Sequence, residues 1–202
     1  MLQLTTPITY AITSGATTAK TTPDDPEFSH LLHWVEAAVA AKVSLVQLRE
    51  KALSARVLFE LAQRAAAITR GTETRLLVND RFDVARAAGA DGVHLTSQSL
   101  PVDVVRPLCG EEFLIGVSTH SLEEARTAAE RGADFVVFGP VFETESKRIF
   151  GEPQGLEKFR EVTTALNHFP ILAIGGIDRS NMEECYRAGA SGIAAIRLFS
   201  FT

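Results

Sequence analysis

Residues Gly132 to Gly155 read GADFVVFGPVFETESKRIFGEPQG, and the fold turns on how this stretch is parsed. Phe135-Val136-Val137-Phe138 is apolar, β-branched and aromatic, and too short for a helix interior. A fully buried parallel strand has this composition. Gly139-Pro140 stops it, and a polar loop follows that carries Thr144, Ser146 and Lys147, with no apolar periodicity until Leu156. Loops of that length in compact domains are mostly functional. Hydroxyls and a lysine just past the C-terminal end of a buried strand suit the binding of an anion.

The Gly-Ala-Asp that opens the stretch recurs. Ala88-Gly89-Ala90-Asp91-Gly92-Val93 and Ala188-Gly189-Ala190-Ser191-Gly192-Ile193 match Arg131 to Val136, each placing Gly-Ala at a helix exit before a strand. The glycine suits a left-handed helix C-cap, and the alanine lets the chain turn tightly into the sheet. Working outward, strands are expected at Ile8–Thr13, Leu45–Leu48, Leu76–Val78, Gly92–Leu95, Leu114–Val117, Phe135–Phe138, Pro170–Ile174 and Gly192–Ile196. Helices are expected over Glu27–Ala41, from a Ser54 cap to Arg70, up to Ala88, and from Pro101 to Cys109. A further helix runs from a Ser121/Glu124 capping box to Arg131, and others span Gly155–Asn167 and Asn181–Ala188. Strict alternation argues a parallel sheet with crossover helices. Eight such units of about 25 residues each favour a small (β/α)8 TIM barrel over a doubly wound open sheet. One domain over residues 1–202 is expected, with the eighth helix missing or shortened because Thr202 follows the last strand so closely.

Composition narrows the function classes. Hydrophobic content of 46% and charged content of 22% are ordinary for a globular protein. A net charge of −5 leaves no basic stripe for nucleic acid. No run reaches the roughly 18 apolar residues of a membrane span, and MLQLTTPITYAIT does not read as a signal peptide. Cys109 and Cys185 lie far apart without metal-ligand spacing, so a reduced, cytoplasmic setting is expected.

Chemistry-bearing residues gather at one end of the strands: Arg49 and Lys51 after the second, Asn79 and Asp80 after the third, Ser118 and His120 after the fifth, Lys147 after the sixth. In such barrels the active site is built at the strand C-termini. A cationic mouth on an acidic protein favours a phosphate ester. Gly175-Gly176 after the seventh strand matches the barrel phosphate site formed by backbone N–H groups. Gln47 and Arg49 share one face of their strand, which becomes the lumen on closure, where Glu50 or Asp80 is the expected partner if no ligand is bound. Asp80 also reads as a possible N-cap, His120 as a possible partner of a loop carbonyl, and His94 as structural.

Seven motifs, in order, resemble the thiamin phosphate synthase/TenI family: Gln47-Leu48-Arg49-Glu50-Lys51, Asn79-Asp80-Arg81, Gly92-Val93-His94-Leu95, Gly116 to Ser121, Gly139-Pro140-Val141-Phe142, Ser146-Lys147, and Ala173 to Ile177. In the synthase branch the resemblance implies that Gln47, Arg49, Lys51, Asn79 and Lys147 hold a pyrimidine pyrophosphate. Asp80 would bind Mg²⁺, and Gly176 with the loop after the eighth strand would bind a thiazole phosphate.

Departures from the synthase pattern shift the expectation. Ser99 stands where that pattern has a second magnesium-binding aspartate, and serine is a poor ligand for a hard cation. Glu143 replaces a proline before Thr144, as in TenI, and Arg197 replaces a serine after the eighth strand. The expected activity is therefore thiazole tautomerisation of TenI type, with no metal and His120 as acid/base. The alternative is the Mg²⁺-dependent synthase. A sugar-phosphate isomerase and a catalytically silent phosphate sensor are further alternatives. The expected partner is a small-molecule thiazole phosphate, in a homodimer or larger assembly built where the absent helix exposes apolar surface near the first and eighth strands.

Overall fold

The computed structural model describes residues 6–143 and 153–199. Strands β1 (Ile8–Ile12), β2 (Leu45–Leu48), β3 (Arg75–Asn79), β4 (Gly92–Leu95), β5 (Leu114–Thr119), β6 (Phe135–Phe138), β7 (Ile171–Ile174) and β8 (Gly192–Ala195) close into a barrel in sequence order. All neighbouring pairs are parallel, and Tyr10 of β1 pairs with Leu45 on one side and Ala194 on the other. Helices α1 (Pro26–Ala40), α2 (Ala55–Thr69), α3 (Phe82–Ala88), α4 (Val102–Cys109), α5 (Leu122–Glu130), α6 (Gly155–Ala165) and α7 (Met182–Arg187) follow the first seven strands. Among the described residues no helix follows β8. The expected TIM barrel is what the chain forms.

Local chemistry accounts for the elements. Ser54 accepts the N–H of Val57 at 3.3 Å and caps α2, whose buried Leu58, Leu61, Ala62, Ala65 and Ala66 recur at helical spacing. Ser121 caps α5 by accepting the Glu124 N–H, but the Glu124 carboxylate reaches one residue further back, to the N–H of His120 at 2.7 Å. The capping box is thereby displaced toward the mouth. The repeat has a second purpose beyond its glycines. Asp91 accepts the Leu76 N–H at 2.8 Å, Asp134 the Ile115 N–H at 2.7 Å, and Ser191 the Ile171 N–H at 3.3 Å. Each fourth repeat residue thus satisfies a backbone N–H in the first two residues of the preceding strand, at the face of the barrel away from the site.

The core has two compartments. One lies between strands and helices and includes Val46, Leu61, Val93, Val136 and Phe159. The other fills the lumen with Ile8, Tyr10, Ile12, Leu45, Leu77, Leu114, Phe135, Val137, Leu172 and Ala194. Period-2 alternation divides them, so Leu45 and Gln47 face inward while Val46 and Leu48 face the helices. Gly116 makes room for an aromatic in this space: a Cβ there would lie 2.3 Å from the Phe135 ring.

Candidate functional site

The strand C-termini bring the expected residues to one end. Gln47 is buried, and its Nε2 donates to Oδ1 of Asn79 at 3.0 Å, which ties the ends of β2 and β3 together inside the lumen. Half-buried Arg49 holds its backbone through the Thr13 hydroxyl at 2.8 Å. Its expected carboxylate partners are otherwise engaged or absent. Glu50 accepts the Gly15 N–H, the Thr17 N–H and the Thr17 hydroxyl, and so organises the loop after β1 instead of pairing with Arg49. Neither Arg49 nor Lys51 forms an ion pair among the described residues.

Asp80 is not a helix cap. Arg81 occupies the N-cap of α3, and Asp80 sits in the left-handed region at φ 65° with its N–H on the His94 carbonyl at 2.8 Å. Aspartate is among the residues that take this conformation most readily, and here it ends β3 in a tight turn. A cavity of about 250 Å³ between the loops after β2, β3 and β4 is lined by Lys51, Asn79, Asp80, Arg81, Thr96 and Gln98. Ser99 turns its hydroxyl back onto the Thr96 N–H at 2.8 Å.

A second cavity, about 1010 Å³, runs from Arg49 over Gly175 and Gly176 to Arg179 and Arg197. The two glycines are needed where they stand. They take φ of 102° and 64°, and a Cβ on Gly176 would lie 2.4 Å from the Glu143 carbonyl oxygen. The Phe142 N–H in turn donates to Gly175 O, so the loop after β6 is laid against the glycine pair. A third cavity, about 560 Å³, lies beside α1 and has a largely apolar lining that includes Leu31, Trp34 and Phe199. Its lining carries no lysine or arginine.

His120 stands exposed at the end of β5, and its Nδ1–H donates to the Gly139 carbonyl at 2.5 Å. That is the loop-carbonyl role weighed for it from sequence. Ser118 hydrogen-bonds His94, which bonds Tyr10 in the lumen. Sequence reading set His94 aside and missed Tyr10. The missed signal was the alternation Ile8-Tyr10-Ile12, which points a phenol into a closed lumen where its O–H must find a partner. Thr144, Ser146 and Lys147 lie outside the described residues.

Fold and site together define a small (β/α)8 barrel with lysine, arginine and glycine-loop residues collected around cavities at the strand C-termini. The family described as thiamine monophosphate synthase matches residues 18–199, and the chain belongs to it. It is 49% identical over 166 residues to a putative thiamine-phosphate synthase of Geobacter sulfurreducens, covering 82% of this chain and 78% of that protein. It is 42% identical over 170 residues to a putative thiamine-phosphate synthase 2 of Aquifex aeolicus, covering 84% and 90%. Thiamine phosphate pyrophosphorylase from Pyrococcus furiosus superposes with a TM-score of 0.76 at 32% identity, over 94% of this chain and 85% of that one. A 3-dehydroquinate dehydratase from Geobacillus kaustophilus shares the fold alone, at 14% identity, a TM-score of 0.69 and coverage of 97% and 84%.

These relatives overturn the expected TenI-type tautomerase, since those at 42–49% identity are named synthases. The physical reason is that Ser99 does not by itself abolish a magnesium site. Mg²⁺ is commonly held by one or two carboxylates together with substrate phosphates, so a lost second aspartate does not remove the synthase chemistry. His120 did not discriminate between the branches.

Proposed function

We propose that this chain is a thiamine-phosphate synthase, joining a hydroxymethylpyrimidine pyrophosphate to a thiazole phosphate with release of pyrophosphate. The observation that carries the reading is two cavities at one barrel mouth, the larger lined by Arg49, Arg179 and Arg197, the smaller by Lys51 with Asp80 and an Arg81 that is paired to Asp83. Two anionic substrates need two such places. In this reading Gln47, Asn79, Lys51 and Lys147 hold the pyrophosphate together with Arg49, which reaches it from the lining of the larger cavity, and Ser118, Thr144 and Ser146 are neutral contacts. Gly175, Gly176 and Arg197 hold the thiazole phosphate, whose oxygens meet backbone N–H groups.

The bond from the pyrimidine methylene carbon to the pyrophosphate oxygen breaks, and the thiazole nitrogen uses its lone pair to bond that carbon. No proton leaves the reacting centre, so the site needs cations for the leaving group and no general base. Asp80, Thr96 and Gln98 bring side-chain oxygens, the ligand type Mg²⁺ takes, to one cavity beside Lys51 and Arg81. Among the described residues no cluster of three His, Cys, Asp or Glu could hold a metal alone, so Asp80 would share it with the substrate. Mg²⁺, when bound, supplies charge neutralisation of the pyrophosphate. Release of pyrophosphate from the two substrates, abolished by EDTA, is the expected result. No release with either Mg²⁺ or Mn²⁺ would refute the reading.

The free thiols of Cys109 and Cys185 support a reduced, cytoplasmic setting, and no helix is long and apolar enough to cross a membrane among the described residues. A homodimer or larger assembly is part of the proposal. Its support is the face of α4 and its approach, where Leu100, Val104 and Leu108 are 51%, 46% and 51% exposed at a spacing of four; beside β8, among the described residues, only Ile196 is similarly exposed. Light scattering at micromolar concentration is expected to show a stable dimer or larger species, and a monomer would refute it.

A further inference from the structure

Tyr10, His94 and Ser118 form a chain of hydrogen bonds from the middle of the lumen to the mouth. The Tyr10 hydroxyl lies 3.2 Å from His94 Nδ1, and His94 Nε2 lies 2.8 Å from Ser118 Oγ. Tyr10 and His94 are 0% and 3% exposed, and Ser118 is half-buried. The rings cannot wander. Tyr10 meets Phe135 edge-on at 5.6 Å and 83°, and His94 sits at ring-centroid distances of 5.7 Å from Tyr10 and 6.4 Å from Phe135.

Proton counting gives this chain a direction. An imidazolium would donate from both nitrogens and leave the buried Tyr10 O–H without an acceptor, so the ring is neutral and carries one proton. Burial pushes the Tyr10 phenol well up, so it keeps its proton. Among the described residues the Tyr10 hydroxyl has no hydrogen-bond partner other than His94. Were Nδ1 to hold the ring proton, Tyr10 would accept it and its own O–H would be buried unsatisfied, at a cost that buried polar groups avoid. With the phenol donating to Nδ1, Nε2–H donates to Ser118 Oγ and every proton has an acceptor. Ser118 then accepts from His94, and its own O–H, which has no other partner among the described residues, is left for a ligand.

We propose that Tyr10 is a positioning residue: through the tautomer of His94 it makes Ser118 a hydrogen-bond donor to an anionic oxygen at the mouth. The opposite tautomer would take the Ser118 proton inward and turn a lone pair toward the anion. The step from tautomer to ligand rests on the pyrophosphate reading above; the tautomer itself does not.

The test begins with unliganded protein carrying ¹⁵N-labelled histidine. Ring ¹⁵N–¹H correlations are expected to show His94 protonated at Nε2 in the wild type and shifted toward Nδ1–H in Tyr10→Phe. Binding of inorganic pyrophosphate with Mg²⁺ is expected to weaken about tenfold in Tyr10→Phe, the scale of one charge-assisted hydrogen bond. In a Ser118→Ala background the same change should cause no further loss. An Nδ1–H wild type, an unmoved tautomer in Tyr10→Phe, or equal losses in both backgrounds would each overturn the proposal. If Tyr10→Phe does not fold, the wild-type tautomer decides. Wild-type protein that shows the Nε2–H tautomer yet ignores pyrophosphate would refute the synthase reading and, with it, the ligand half of this one.

Discussion

The carboxylate of Glu50 holds the hydroxyl of Thr17 at 2.6 Å and, with 2% of its surface exposed, also accepts the N–H groups of Gly15 and Thr17. One buried acid thereby ties the loop after β1 to the end of β2. Ser14, next to that loop's anchor, lines the larger cavity. Glu50→Ala is expected to lower stability by about 2–4 kcal/mol, because three charge-assisted bonds are lost and two buried donors are left behind. Glu50→Gln should cost less. Urea unfolding of the two variants measures the order.

Gly176→Ala tests the floor of the larger cavity, the one proposed to take the thiazole phosphate. Its φ of 64° alone costs a side chain about 1–2 kcal/mol. The Glu143 carbonyl adds a backbone clash at 2.4 Å that no side-chain rotation relieves. The variant should unfold at lower temperature and show a raised KM for the thiazole phosphate more than for the pyrimidine. Equal effects on the two KM values would detach this cavity from the thiazole.

Arg106 offers a control at the opposite end of the barrel. Its guanidinium donates to the carbonyls of Gly132, Gly110 and Phe113 and pairs with Asp134 at 2.5 Å, joining the end of α4 to the starts of β5 and β6. Arg106→Met should cost about 3 kcal/mol, through half-buried acceptors left unpaired. Kinetic constants should hold at a temperature where the variant is folded. Differential scanning calorimetry beside a turnover assay separates the two.

Much of this was legible in sequence, for identifiable reasons. Alternation along Val46-Gln47-Leu48-Arg49 placed Gln47 inside, where it bonds Asn79. The Gly-Ala repeat announced the helix exits, with Gly89 at φ 73° and Gly132 at φ 94°. What stayed hidden depends on contacts between strands remote in sequence. Nothing in the Gly-Ala-Asp repeat itself points to the targets of Asp91 and Asp134, which are Leu76 and Ile115 on the preceding strands. His94 looked structural because nothing in Gly92-Val93-His94-Leu95 reveals Tyr10 beside it. Ser99 misled for a different reason: one ligand position was allowed to decide between two reactions.

Asp80→Asn tests the metal. The amide keeps the shape and the left-handed backbone but loses the charge that would hold Mg²⁺. Turnover should fall at least about a hundredfold, with part of the loss recovered at high Mg²⁺. Unchanged Mg²⁺ dependence in the variant would remove Asp80 from the metal site.

The last prediction concerns acid stability and the buried imidazole. His94 has its folded value depressed to about 3 against an ordinary 6.5, chiefly by burial and then by the Arg49 charge. The folded protein keeps His94 neutral while the unfolded chain protonates it. The unfolded state therefore binds more protons between these two values, and stability rises with pH in that window. The contribution is complete above about pH 6.5 and is lost progressively as pH falls toward 3. By pH 4.5 the loss from this one group is about 2–3 kcal/mol. Carboxylates protonate in the lower part of the same window, so the wild-type slope alone does not isolate the histidine. His94→Gln does, because it keeps a side-chain amide in the lumen and has no proton to bind. Urea unfolding in EDTA at pH 7 and pH 4.5 should show the variant less stable than wild type at pH 7 and the gap narrowed by about 2–3 kcal/mol at pH 4.5. A gap that stays constant would mean that His94 does not sit neutral in the lumen, and the direction assigned to the Tyr10–His94–Ser118 chain would fall with it.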